Sequence, residues 1–197
     1  MSKGKYILLT IMLVLASSFH VVAQKTTTID QEYKLKAVYI YKFTKYIEWS
    51  KKASKIDTFF IGVLGKSEIR PILNKVAQRK LIKGKPIMVH HYKRIEDFVS
   101  TTGAPNIDCH ILFVSKEVEL KNTKGLQQLS KNNVLVIGER EGFAQKGGLI
   151  NFVLRRNKQK FEINQSNMLN CDFKVSPKLL RLAILVSDED QPMKPKN

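Results

Sequence analysis

Between Leu149 and Ile163 the chain holds two apolar runs, Leu149–Leu154 and Lys160–Ile163, with only a short polar link around Arg155, Arg156, Asn157 and Lys158. Four or five residues cannot carry a crossover, so the two runs must pair as an antiparallel hairpin. Upstream, apolar runs alternate instead with helical patterns, which requires parallel strands. The runs are Thr58–Leu64, Pro86–Tyr92, Cys109–Ser115 and Val134–Gly138. The expected fold is a single α/β domain with a mixed, mostly parallel sheet of about six strands, helices on both faces and an antiparallel C-terminal hairpin. A glycine-marked loop carrying Gly142, Gly147 and Gly148 joins the fourth run to the hairpin.

The rest of the chain is assigned around that frame. Lys3 and Lys5, an apolar stretch from Tyr6 to Phe19 and the small residues of Val21-Val22-Ala23 read as a signal peptide, residues 1–23, cut after Ala23. The stretch is shorter than the ~20 residues of a membrane span, which disfavours an uncleaved anchor. A polar leader, 24–29, precedes the domain, 30–187, and a charged, proline-punctuated tail, 188–197, reads as disordered. A helix from Asp30 to about Trp49 buries Tyr33, Ala37, Ile40, Phe43 and Ile47 on one face. Leu35, Val38, Tyr39 and Tyr46 form a second apolar strip, so this helix is either deeply buried or shared with a partner. Tyr39, Phe43, Tyr46 and Trp49 are the candidate interface residues. Ser176 and Pro177 open a closing helix through Leu179, Leu182 and Val186.

The formal charge of +17 falls to about +15 once Lys3 and Lys5 are removed. It is mostly lysine and spread along the chain, which favours solubility and anionic surfaces but lacks the arginine forks and aromatic platforms of nucleic-acid readers. No serine sits in a nucleophile elbow, no carboxylate pair is placed by motif for acid and base work, and the glycines match no nucleotide-binding spacing. No catalytic residue, cofactor or metal ligand is assigned. His90 and His91, and likewise Cys109 and His110, are neighbours on strands and point to opposite faces. In Gly142, Gly147 and Gly148 the glycines suit tight turns and close backbone approach; with Asn151 they are also the candidate ligand loop. Cys109 and Cys171 either pair as a disulfide, worth about 4 kcal/mol over a loop of roughly 60 residues, or lie apart as buried thiols.

Eight stretches, in order, resemble the YfiR family of exported bacterial regulators. They are KAVYIYKFTKYIEW (Lys36–Trp49), FFIGVLG (Phe59–Gly65), KGKPIMV (Lys83–Val89), CHILFVS (Cys109–Ser115), VLVIGE (Val134–Glu139), GGLINF (Gly147–Phe152), FEIN (Phe161–Asn164) and SPKLLRLA (Ser176–Ala183). The resemblance implies a periplasmic, non-catalytic α/β domain, often dimeric. It implies a partner too, a membrane-bound diguanylate cyclase or another envelope sensor protein, whose restraint would control cyclic di-GMP and biofilm formation. Redox-responsive members carry more cysteines than the Cys109 and Cys171 present here. A small-molecule receptor is the alternative reading.

Overall fold

A computed structural model describes residues 29–50, 53, 55–99, 108–119 and 124–188. The expected signal peptide, most of the leader and all but Asp188 of the tail lie outside the described residues. Chain order is helix α1 (29–46), β1 (Ile47–Glu48), β2 (Phe59–Leu64), α2 (Ile69–Ala77), β3 (Ile87–Tyr92), a 3-10 turn (Ile95–Asp97), β4 (Ile111–Val114), α3 (Lys124–Lys131) and β5 (Leu135–Gly138). There follow β6 (Ile150–Arg155), β7 (Lys158–Asn164), α4 (Gln165–Leu169), β8 (Lys174–Val175), α5 (Pro177–Leu182) and β9 (Ile184–Val186).

The main sheet runs in the order β3-β2-β4-β5-β6-β7-β9 and is parallel except for the β6–β7 hairpin. The expected mixed, mostly parallel architecture is therefore the one found, with seven strands rather than about six. The hairpin is closed by Arg156 and Asn157, both in the left-handed region at φ 49° and 58°. Two consecutive positive φ values give a turn whose twist matches that of the flanking strands, and they extend the pairing to Arg155 opposite Lys158.

The closing helix is shorter than its leucine spacing predicts. It stops at Leu182, and Ile184–Val186 becomes an edge strand parallel to β7, with Ile184 beside Glu162 and Val186 beside Asn164. A short Ile-Leu-Val run suits either state, and the unpaired edge of β7 decides in favour of the strand. The first helix likewise ends at residue 46, and Ile47–Glu48 pairs with Lys174–Val175 in a small separate sheet.

Apolar residues fill both faces of the sheet. On one face α1, α2, α4 and α5 cover Phe59, Ile61, Ile111, Phe113, Ile150 and Ile163. On the other, Phe98, Leu129 of α3 and Phe143 cover Leu64, Leu112, Val114 and Val136. Among the described residues His110 is the one buried histidine. Its Nδ1 accepts the Phe60 N–H at 3.2 Å, its Nε2 lies 3.2 Å from the Ala53 carbonyl, and its ring stacks on Phe59 at 4.3 Å. The proton is thereby assigned to Nε2.

Burial holds His110 below the usual histidine pKa. With the folded value depressed, the unfolded chain takes up the proton first. The full stability is then present above about pH 6.5 and declines as pH falls through that value toward the folded one, by at most about 1.4 kcal/mol per unit. At roughly 2–4 °C per kcal/mol the ceiling is about 3–6 °C of melting temperature per pH unit. His110→Gln should flatten the curve of Tm against pH below about pH 6.5, whatever its own baseline loss; parallel curves for the two proteins would refute the assignment.

Candidate functional site

Between β5 and β6 the chain makes a compact loop, 139–148, in place of a crossover helix. Gly142 (φ 72°) and Gly147 (φ 102°) supply left-handed turns, Lys146 N–H bonds to the Gly142 carbonyl at 3.0 Å, and Gly148 N–H bonds to the Phe143 carbonyl at 3.0 Å. The Phe143 ring, buried at the loop's centre, presses on Gly138 and Gly148, where no Cβ would fit. Gly147 and Gly148 thus shape the loop, and Gly142 reaches the surface of a cleft beside it.

That cleft is about 460 Å³ and lies between the loop and β6. It exists because β5 pairs with β6 only at Ile137 opposite Ile150 and Gly138 opposite Asn151. Beyond Asn151, β6 continues through Phe152–Arg155 with β7 on one side and no strand on the other among the described residues. Glu139, Glu141, Gln145, Arg155 and Glu162 complete the walls.

Asn151 and Glu162 are cross-strand partners, and both are buried, at 0% and 3% exposure. Asn151 Nδ2 donates to Glu162 Oε2 at 3.1 Å, and the half-exposed Arg155 guanidinium donates to Oε1 at 3.1 Å. The Asn151 Oδ1 atom and the Gln145 Oε1 atom are buried and have no hydrogen-bond partner among the described residues. Glu139, on the same wall, is held by Lys36 of α1 at 2.5 Å, by the Tyr33 hydroxyl at 3.2 Å and by the Lys116 N–H at 3.3 Å. Burial, and then the Glu139 charge, push the Tyr33 phenol well above its ordinary pKa, so it stays a donor.

Of the candidate ligand loop, the structure brings Gly142 to this cleft, while Asn151 is fully buried behind it and bonds to Glu162 of the wall. The partners that give the cleft its charge, Glu139, Glu141, Gln145, Arg155 and Glu162, carried no recognisable spacing. One signal was present: both hairpin strands place a polar residue, Asn151 and Glu162, where alternation points it inward on a sheet covered on both faces.

The other candidates are redistributed. Phe43 and Trp49 are core residues at 1% and 8% exposure and offer no surface. Phe43 packs on Phe152 and Phe161, and Trp49 stands edge-on to Phe59 and Phe173 with its Nε1 donating to the His110 carbonyl at 3.1 Å. An aromatic that anchors a core reads, in sequence, like one that anchors an interface. Tyr39 and Tyr46 are half-buried, while Leu35 and Val38 stand exposed at 42% and 46% on α1.

Cys109 and Cys171 are free, which corrects the candidate disulfide. Cys109 packs into the second-face cluster and Cys171 against the first, and their thiols donate to the Ile111 and Asn167 carbonyls. Burial pushes Cys109 up to about 12 and, with Asp172 contributing, Cys171 up to about 11. At about pH 8 only on the order of one Cys171 thiol in a thousand is ionised, and fewer at Cys109. Native protein should therefore consume iodoacetamide far more slowly than unfolded protein at both positions, read by intact mass. Labelling of native protein at the unfolded rate would contradict this placement.

A second cleft, about 590 Å³, lies against α2 and is lined by Lys66, Arg70, His91 and Lys93. Among the described residues no group of three His, Cys, Asp or Glu side chains is placed to hold a metal ion, and no helix is long and apolar enough to cross a membrane.

Residues 33–184 match the model of a protein family described as YfiR/HmsC-like. Comparison with curated proteins found no match.

Proposed function

Because the chain belongs to the YfiR/HmsC-like family, we propose that it is a periplasmic regulator that binds and restrains the periplasmic part of a membrane signalling protein, most directly a diguanylate cyclase. The observation that carries the reading is the extent of the match, which runs from α1 into β9. Family membership supports a general periplasmic regulatory role rather than a catalytic one. Export by the N-terminal signal and lowered cyclic di-GMP are the finer parts of the proposal.

The outer strip of α1 supports a binding role. Leu35 and Val38 lie one helical turn apart beside half-buried Tyr39, whose ring contacts Phe152 and Phe161. Leu154, 63% exposed, is two residues beyond Phe152 on the same face of β6. Apolar side chains grouped in this way mark contact surfaces, for a sensor domain or a second copy of the chain.

The test is co-purification with the periplasmic part of a membrane sensor encoded beside this gene, together with cyclic di-GMP levels in a deletion strain. A complex, and raised cyclic di-GMP on deletion, are expected. Leu35→Lys with Val38→Glu should weaken the complex without lowering Tm. No complex and unchanged cyclic di-GMP would sink the proposal.

A further inference from the structure

We propose that the turn joining α2 to β3, residues 78–85, docks the protein on an anionic lipid bilayer, with Leu81 entering the headgroup region and the cations around it holding lipid phosphate. This goes beyond the regulatory reading, and it needs only an anionic membrane within reach, not a particular protein partner. Between Glu68 and Glu96 the chain has no acidic residue but eight lysines and arginines. Five of them, Lys75, Arg79, Lys80, Lys83 and Lys85, gather at the C-terminal end of α2. Among the described residues Lys45, Arg79, Lys80 and Lys83 are exposed and enter no ion pair. Lys85 is engaged, its Nζ donating to the Ile56 carbonyl at 2.5 Å.

The macrodipole of α2 accounts for cations near its C-terminus, but not for the bare leucine among them. Leu81 is 56% exposed, and its neighbours fix it in that state. Ile82, next along the chain, is sunk in the core at 2% exposure. The backbone then closes in a tight turn over Lys83 (φ 51°) and Gly84 (φ 79°), with Ile82 N–H donating to the Lys85 carbonyl at 3.0 Å and Lys85 N–H to the Ile82 carbonyl at 2.9 Å. From α1 the Tyr41 hydroxyl donates to the Leu81 carbonyl at 3.3 Å. A leucine held outward on a fixed backbone loses little further freedom when a surface covers it, which favours binding.

The Tyr41 bond also brings α1 to the turn. Lys45 Nζ lies over the Tyr41 ring at 5.4 Å and Lys83 Nζ over the Trp49 ring at 5.9 Å, so cations from two elements surround one apolar point. That is the composition of an interfacial anchor: the acyl boundary takes the leucine, the lysine stems follow it, and headgroup phosphates take the charge. Nucleic acid would instead call for open aromatic faces, and Trp49 is buried while Tyr41 is half-buried with Lys45 over it.

The test is co-sedimentation with vesicles of phosphatidylglycerol mixed into phosphatidylcholine. The mature protein is used, its N-terminus read by intact mass, because the apolar Tyr6–Phe19 stretch would bind lipid by itself. Half-saturation is expected on the order of 0.1–1 mM accessible lipid, with binding lost in raised salt and on phosphatidylcholine alone. Lys80→Gln with Lys83→Asn should weaken it by roughly 25-fold, about fivefold for each charge. Lys66→Gln with Lys93→Gln removes the same charge from the cleft at the other end of α2. That end is roughly 14 Å away, beyond a Debye length of ~8 Å, so the loss there should not exceed about threefold. Leu81→Ser should weaken binding by about tenfold and leave its salt dependence unchanged. All five positions are exposed, so an unchanged Tm certifies the fold of each variant.

Equal losses from the two lysine pairs would show net charge alone at work and overturn the proposal, as would equal binding to phosphatidylcholine or no binding to either vesicle. Loss with Lys80→Gln and Lys83→Asn but none with Leu81→Ser would assign the turn to an acidic polymer or protein surface and overturn the bilayer. Failed vesicle binding beside an intact complex with the membrane sensor would leave the regulatory reading standing, and vesicle binding without that complex would leave the docking alone.

Discussion

Replacing Lys36 by methionine is expected to destabilise the protein by about 3–5 kcal/mol, the cost of leaving a buried charge without its partner. Lys36 is 4% exposed and its Nζ lies 2.5 Å from Glu139 Oε2, on a carboxylate that is itself 1% exposed. Once the ammonium is gone, Glu139 keeps only neutral donors, the Tyr33 hydroxyl and the Lys116 N–H. The lost pairing with Glu32 adds little, because Glu32 is 39% exposed and an i,i+4 pair on a helix contributes no more than about 0.5 kcal/mol. A fall in Tm of roughly 6–20 °C is expected for a domain of this size.

The double variant Lys36→Met with Glu139→Met separates burial from charge. It removes both ions and should recover much of the loss, since well-packed apolar replacements of a buried pair are often neutral. Urea titration of the four proteins in this cycle checks the prediction. A single variant within about 1 kcal/mol of wild type would mean that water reaches Glu139 despite its burial. The pair also ties α1 to the end of β5, so a destabilised Lys36→Met protein should lose protection first in α1, by hydrogen exchange.

Neither partner of that ion pair could be picked out from the sequence. Lys36 falls among apolar helix residues, where the helical period leaves it on the margin of the buried face, and Glu139 follows a strand whose end is indistinguishable from an exposed turn. What periodicity resolved was everything governed by local spacing. The apolar runs Phe59–Leu64, Ile111–Val114 and Leu135–Gly138 are strands because nothing shorter-ranged competes with burial on both faces, and Ile87–Tyr92 joins them as an edge strand with Met88 and His91 exposed. The hairpin followed from the brevity of the Arg155–Lys158 turn.

Features settled by a distant neighbour were missed. Ile184–Val186 is a strand because β7 offers an edge, and Trp49 is buried because Phe59, His110 and Phe173 surround it. The cleft is of the same kind. It is produced by a difference in length, β6 outrunning β5, which appears in neither strand alone. The glycines of its loop were visible as a group, but which of them answers to turn geometry and which to space is settled by Phe143.

That division leads to the second large effect. Gly138 and Gly148 do not have positive φ, so an alanine at either is excluded by space alone. At Gly138 the three nearest atoms to an added Cβ all belong to the Phe143 ring, the closest at 2.4 Å. At Gly148 the ring comes within 2.2 Å and the Phe143 carbonyl oxygen lies at 2.9 Å. Gly138→Ala and Gly148→Ala are each expected to cost about 1–3 kcal/mol through overpacking. Trimming the ring with Phe143→Leu should rescue Gly138→Ala well and Gly148→Ala only in part, because the second clash includes backbone that no side-chain change removes. Gly142→Ala should cost about 1 kcal/mol through its left-handed φ and gain nothing from Phe143→Leu, the three nearest atoms there being those of the Lys146 side chain, none closer than 3.6 Å. Equal rescue at positions 138 and 148 would show that the carbonyl moves freely and that the ring alone sets the loop.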